Sequence, residues 1–576
     1  MIKNRYENLK SIKPFYAPYK LKIVLFSVFA FASGAFALTY PYVSSEIILN
    51  LTSKNFSEMT KFCIILLSFI IANSVIYFMS DFFYARVTNG LFFDLRKSVI
   101  SKMMSLRLSV IYDKGSGYFL ERLNEDTKEL SNNRLDIIKQ FIHLVVNLGF
   151  VSYIVVLNWQ IGLIFFAGII LLIVLEHLRV SKLLANKKLG KRAGEKVKVA
   201  ENEIIKGVKE IKGLNAKESL LTRHSNVNGK YVKIKYNREI YDKRMQKIID
   251  VAKAVLDFAL LVIAGLYLIP KGKIELLAVL VIYNYKGNIY DLIAGFAKIR
   301  DYHVNGELAS KRLNEVIKAH DEAFDSFGDK TLDKPIEKIE FCKVAFDYDS
   351  KKPILKDISF TISKNSLVGF VGSSGSGKTT IFNLLTNFYK KKGGEILING
   401  IPFDELSETT VRDNISLVLQ DPYIFNDTLI NNVKIAKPEA SDEDVVNVCK
   451  LAELDDEIML MENGYETMLG ESGTNLSGGQ KQRLEIARVL LKDTGVILFD
   501  EATSALDKIN LNKINSLLLK LKDTKIILVI AHRLAVMRLC NEVFALDNGI
   551  IANHGTHEKL LETSTFYQSL FKKKEN

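Results

Sequence analysis

The amino-acid sequence predicts an α-helical membrane domain of six spans, with long helical extensions into the cytosol, followed by an α/β domain of the P-loop type. Three observations carry this expectation. Apolar runs of membrane length are confined to the chain before residue 300. A strand-like run, Leu367–Val371, enters the loop Gly372-Ser373-Ser374-Gly375-Ser376-Gly377-Lys378-Thr379, and a helical run, Thr380–Leu385, leaves it. An all-apolar run, Val496–Phe499, ends in Asp500-Glu501.

The six runs are Ile23–Val43, Phe62–Ala85, Ile137–Leu157, Gln160–Val180, Ile248–Ile269 and Ile274–Ala297. Each approaches the roughly 20 apolar residues that a membrane helix needs. Runs three and four are parted only by Asn158-Trp159, and runs five and six by Pro270-Lys271-Gly272-Lys273. The connections between runs two and three, 86–136, and between runs four and five, 181–247, are instead polar, helically patterned and far longer than ordinary loops. They read as the membrane helices continuing into water. The second is rich in Lys and Arg, and the N-terminus carries Lys3, Arg5, Lys10, Lys13 and Lys20. Both excursions and both termini are therefore expected in the cytosol. The first run is too long for the core of a cleavable signal and lacks a small-residue cleavage site.

Composition agrees with this division. Hydrophobic content of 48% beside 25% charged residues averages two unlike parts. The formal net charge of +13 would suit nucleic acid or a membrane. No zinc-finger, RRM or helix-turn-helix pattern accompanies it, and the positive residues gather beside the apolar runs, so no nucleic-acid partner is expected. Cys63, Cys342, Cys449 and Cys540 form no CxxC pair and are expected as buried structural thiols.

In the second half, Gly372, Gly375 and Gly377 allow backbone N–H groups to curl around a phosphate, with Ser373, Ser374 and Ser376 between them. Lys378 is placed to reach the β- and γ-phosphates, and Thr379, followed by Thr380, offers its hydroxyl to Mg²⁺. Val496–Phe499 reads as a parallel strand buried on both faces, and ligands bind at the carboxyl ends of such strands. Asp500 is then expected to hold Mg²⁺, and Glu501 to orient or deprotonate an attacking water.

Between these two motifs lies Leu476-Ser477-Gly478-Gly479-Gln480. The order resembles the ATP-binding domain of ABC proteins, and the layout of runs resembles the membrane domain of ABC exporters (the type IV fold) over essentially the whole chain. The resemblance implies residues 1–305 as membrane domain, 306–334 as linker and 335–576 as ABC domain. It implies that Tyr348 stacks on adenine, that Gln420 senses Mg²⁺ and water, and that His532 contacts the γ-phosphate. Ser504–Asp507 matches the loop that crosses the dimer interface, with Asp507 at the nucleotide. Ser477, Gly478, Gly479 and Gln480 are expected to act on the ATP of a partner chain. One ATP domain per chain implies a half-transporter, and the intact Glu501, His532 and signature favour a homodimer over a heterodimer. Asp113–Gly117 with Glu121-Arg122-Leu123 and Asp126, and Gly207–Glu218, resemble the coupling tips that dock on ATPase domains. Asp427 and Glu485 depart from the family's usual small or apolar residues.

The resemblance implies an ATP-driven exporter of a lipid, drug-like or peptide substrate. An importer on the same fold, as for siderophores, and an ATP-gated channel are the alternatives; intact Glu501 weighs against the channel. In the membrane half, Asp250, Lys253 and Asp257 share one face of the fifth run, and the sixth contains Asn284, Lys286, Asn288 and Asp291. They read either as a polar translocation path or as paired and snorkelling charges. The Lys-, Ile- and Asn-rich composition points to a bacterial source.

Overall fold

A computed structural model describes residues 12–319, 323–348, 353–470, 473–502, 508–531 and 533–572. The chain forms two compact units, Met1–Met104 with Gly117–Lys318, and Ser105–Ser116 with Ala319–Asn576.

The first unit is helical. Helix Lys20–Ala37 stops at Leu38-Thr39, and helix Tyr40–Thr52 restarts with Pro41 in its first turn. The first apolar run is therefore two helices and not one. Proline lacks the N–H a helix interior requires, and a first turn is where that loss costs nothing. Helices Phe56–Met104, Trp159–Lys206 and Lys217–Ile263 instead run unbroken from apolar into polar sequence. At about 1.5 Å per residue each is roughly 70 Å long, over twice the hydrocarbon thickness of a bilayer. The long polar connections are thus extensions of membrane helices. Among the described residues, five helical stretches are long and apolar enough to cross a membrane: Lys13–Thr52, Phe56–Met104, Ser116–Val156, Trp159–Leu183 and Lys217–Leu268. The sixth expected span falls on helix Leu276–Ile317, which Asn284, Lys286 and Asp291 make less apolar than the others.

Asn158 explains the tightest turn. Its Oδ1 accepts from the N–H groups of Gln160 and Ile161 at 3.0 and 3.1 Å, capping the helix that begins at Trp159. Its Nδ2 donates to Lys273 O at 3.1 Å, so the two short turns lie side by side. Beneath them Phe150, Ile154, Ile161, Leu260, Ala264 and Ile282 form a buried cluster. The tip of the second excursion is a short helix, Val208–Gly213, between two long ones.

The second unit contains two sheets. Strands β1 (Lys338–Phe346), β2 (Leu355–Ser363), β4 (Gly393–Ile398) and β5 (Ile401–Pro402) make an antiparallel sheet ordered β2-β1-β4-β5. The other sheet is ordered β10-β9-β3-β8-β7-β6, from β3 (Ser366–Gly372), β6 (Ile415–Val418), β7 (Val496–Asp500), β8 (Ile526–Ile530), β9 (Glu542–Asp547) and β10 (Ile550–Gly555). All of its pairings are parallel except β9 with β10. Alternation along β7 explains its all-apolar sequence. Val496 and Leu498 pack with Phe370 and Phe382 on one side, while Ile497 and Phe499 pack with Leu484 and Ala487 on the other. Each such buried side chain contributes roughly 1.5–3 kcal/mol.

Ser105–Ser116, which includes part of the first excursion's tip, belongs to this unit. Arg107 N donates to Ala323 O and Asp325 N to Ser105 O, each at 2.9 Å. The cysteine expectation holds for half its members. Cys449 and Cys540 are buried, and burial pushes both thiols up to about 12. Cys63 and Cys342 are exposed. Cys342 follows buried Phe341 in β1, so strand alternation alone sets it on the opposite, exposed face.

Candidate nucleotide-binding site

Parallel pairing sets the site. β8 lies between β3 and β7, with Phe370 and Asp500 both in register with Ile530. The glycine-rich loop and Asp500-Glu501 therefore leave neighbouring strands at the same edge.

The loop's glycines are needed as glycines. Gly377 has φ 102° and caps helix Lys378–Leu385; a Cβ there would come 2.5 Å from Leu355 Cδ2. A Cβ on Gly372 would meet the carbonyl of Leu546. Ser373, Ser374 and Gly375 form the exposed crest, and Ser376 N returns to Ser373 O at 3.2 Å. Lys378 is buried, with Nζ donating to Gly372 O at 3.0 Å and Ser373 O at 2.9 Å. Ser376 Oγ is buried with no hydrogen-bond partner among the described residues. Backbone cradle, converging ammonium and orphaned hydroxyl fit a nucleotide phosphate chain.

Thr379 Oγ1 donates to Asp500 Oδ1 at 3.3 Å. Burial pushes the Asp500 carboxyl above the ordinary carboxylate range, the Thr379 bond opposes that, and neighbouring Glu501 adds to it. A hydroxyl and a desolvated carboxylate so close fit the oxygen ligation that Mg²⁺ prefers. Glu501 adopts left-handed backbone, φ 49°, and its N–H donates to Ile530 O at 3.0 Å. Gln420, after β6, donates Nε2 to Glu501 Oε2 at 3.1 Å and accepts at its carbonyl from Gln482 Nε2 at 3.3 Å.

Tyr348 Oη bonds Thr380 Oγ1 at 3.1 Å and accepts from Asn383 Nδ2 at 3.3 Å. Its ring meets Phe346 and Tyr389 edge-on at 4.8 and 4.9 Å. Ser477 and Gln480 form a capping box at the start of helix Gly478–Lys492, with Gly478 and Gly479 in its first turn. Gln480 Nε2 then donates to Glu457 at 2.8 Å, and Arg483 pairs with the same carboxylate at 2.6 Å. Gln482, Asn383, Tyr389 and Glu457 are supporting residues that sequence reasoning missed. Only Asn383 left a signal, one turn beyond Thr379 on the loop's own helix. His532 and Ser504–Asp507, Asp507 included, lie outside the described residues.

The two departures have local explanations. Asp427 Oδ1 accepts from Thr428 N at 2.7 Å and Asn431 Nδ2 at 2.9 Å, the Asn431 bond leading in holding its carboxyl below the usual range. Glu485 pairs with Arg488 at 2.9 Å, one helical turn on.

Residues 355–504 match the ABC transporter family, and residues 23–285 match the ABC transporter transmembrane region. The ATP-dependent lipid A-core flippase of Legionella pneumophila (strain Paris) is 31% identical over 83% of this chain and 81% of its own. That of Mannheimia succiniciproducens is 28% identical over 88% and 87%. A solved bacterial Atm1-family ABC exporter with ATP bound shares the fold, with TM-score 0.83, 22% identity, and coverage of 97% of this chain and 99% of its own. The chain belongs to the ABC transporter family. It is a multi-pass membrane protein, an ATP-binding ATPase coupled to transport, and an exporter-type half-transporter that works as a dimer.

Proposed function

We propose that the chain moves an amphipathic lipid across a bacterial cell membrane, as a homodimer with both termini and the ATPase domain in the cytosol. The carrying observation is its correspondence to lipid A-core flippases over most of both chains. Residues 1–305 form the membrane-crossing part in this reading, 306–334 the linker and 335–576 the ATPase. Gly372–Thr380 cradles the phosphates, and Tyr348 leaves its bond to Thr380 to meet adenine. Thr379, Asp500 and Gln420 hold Mg²⁺, which when bound supplies the charge neutralisation that phosphoryl transfer requires. Glu501 takes a proton from water that Gln420 helps to orient, His532 contacts the γ-phosphate, and Asp507 and Ser477–Gln480 complete the partner's site. Homodimerisation is supported by one chain carrying both Glu501 and the full Leu476–Gln480 segment.

The test is reconstitution in sealed vesicles with a labelled lipid panel. ATP added at the exposed ATPase domains should drive lipid away from the leaflet on their side, with ATP turnover rising as lipid is supplied. Movement in the opposite direction would establish the importer, and lipid-independent turnover with ion leakage would establish the channel.

A further inference from the structure

The two helices that open on the nucleotide site end at one residue remote from it. Helix Lys378–Leu385 leaves the phosphate loop and stops at Thr386, whose carbonyl accepts from Arg412 Nη1 at 2.9 Å. Helix Gly478–Lys492 begins after Ser477, and its last residue donates Lys492 Nζ to Arg412 O at 2.6 Å. Arg412 itself stands in the last turn of helix Glu408–Asn414, which runs directly into β6 and so toward Gln420. The final carbonyls of a helix have no partner within it, and a cation beside them also complements the helix dipole.

The rest of the Arg412 guanidinium is turned to the linker. Nη2 pairs with Asp325 at 3.6 Å, and the group lies over Phe327 and Phe388, 5.5 and 5.6 Å from their centroids. The linker here is no loose tether. Gly328 N donates to Leu406 O at 2.8 Å, Lys330 N to Glu405 O at 2.9 Å, and Ser407 N to Lys330 O at 2.8 Å. Asn387 Nδ2 adds a bond to Ser326 O at 3.1 Å, and a Cβ on Gly328 would collide with Glu405 O. Asp325 N in turn donates to Ser105 O, and Arg107 Nε to Phe324 O, each at 2.9 Å. Ser105 follows helix Phe56–Met104 and leads into the short helix Leu108–Lys114 of the first tip.

We propose that Arg412 is a positioning residue that ties the far ends of both nucleotide-facing helices to Asp325. Nucleotide seated on the phosphate loop then sets linker residues 323–330 and, through Ser105, the tip helix Leu108–Lys114 of the same chain. Arginine suits this place. Its donors form a rigid fork that spans a carbonyl and a carboxylate at once, and its faces accept the two phenyl rings. An α-helix is hydrogen-bonded turn to turn, so a displacement at its first turn is carried to its last. The route runs inside one chain through the linker, and it does not depend on a tip docking on the partner's ATPase domain. This inference rests on the reading above in which Gly372–Thr380 holds the phosphates.

The experiment is amide hydrogen exchange on the full-length protein, with and without Mg²⁺ and the non-hydrolysable analogue AMP-PNP. In wild type the nucleotide should slow exchange at Gly372–Thr380 and also at 105–116 and 323–330. Arg412→Gln should keep the first response and lose the second. Asp325→Asn retains the backbone bond to Ser105 and should give the same split, and it carries the test if Arg412→Gln does not fold. A response of wild-type size at 105–116 in either variant overturns the proposal, as does its absence from wild type. If either variant already exchanges faster at 323–330 without nucleotide, Arg412 only staples the linker in place and the positioning role is rejected. If AMP-PNP slows exchange nowhere in Gly372–Thr380, the phosphate-site reading itself fails and this inference falls with it.

Discussion

Glu501 combines a left-handed backbone, φ 49°, with a side chain held by Gln420 Nε2 at 3.1 Å. A non-glycine residue keeps such backbone only where its surroundings over-determine it, as the bond from its N–H to Ile530 O does here. Glu501→Gln retains the shape and the backbone bond but loses the base. Hydrolysis should fall by roughly 100- to 10,000-fold while Mg-ATP affinity stays near wild type. Single-turnover hydrolysis and equilibrium nucleotide binding check this, and wild-type turnover would remove Glu501 from the chemistry. Lys378→Ala should behave oppositely. It deletes the ammonium that lies on Gly372 O and Ser373 O, so binding itself should weaken by about 1.5–3 kcal/mol.

The base of the third membrane helix is locked to the base of the sixth. A π-helical segment, Arg122–Asp126, buries the Asp126 carboxylate, which accepts from Arg312 Nε with 3.0 Å to each oxygen. Arg122 stacks on Tyr118, 3.5 Å from its centroid, and Tyr118 Oη donates to Glu315 at 2.8 Å. Asp126→Ala strands a largely buried guanidinium and should cost roughly 3 kcal/mol, read as a fall of several degrees in the apparent Tm of the purified protein. An unchanged Tm would mean the pair is solvated in the working molecule. At the second tip, Gly207 has φ −91°, so a side chain is sterically admissible, although its Cβ would lie 3.1 Å from Glu203 O. If this tip docks on an ATPase domain, Gly207→Glu should fold and bind ATP yet lose substrate-stimulated hydrolysis, because it places a charge on the docking face. Normal transport by this variant would make the segment a solvated helix only.

At the scale of the molecule, the bonds of the phosphate loop and of the signature run to different places. Lys378 turns to Gly372 and Ser373, while Ser477 turns to Gln480 and through it to Glu457. If each signature serves the partner's nucleotide, a Lys378→Ala chain mixed with a Ser477→Arg chain regains one complete site per mixed dimer. Partial ATPase activity should return on mixing, since neither variant alone has a complete site. No recovery, with mixed dimers demonstrated by pull-down, would reject the shared site. Crosslinking Ser374→Cys with Ser477→Cys should correspondingly join two chains.

What the sequence determined by itself was local: the ends of the strands, the phosphate loop, the helical extensions and the sites of the short turns. The run Leu367–Val371 becomes β3, longer by one residue at each end, and Val496–Phe499 becomes β7, longer only by Asp500. Such features depend on periodicity and on residues a few positions apart, which one strand or one helix turn expresses directly. The break before Pro41 was also written locally, but it was masked by the apolar run around it. Tertiary structure alone decided the contacts between distant residues. Nothing near Tyr348 in the chain announces its bond to Thr380, and nothing near Asp257 selects Lys286 over Lys253. Those outcomes depend on which faces the packed elements bring together, and burial then makes the partnership obligatory: a desolvated charge or hydroxyl must find whatever partner the fold sets beside it.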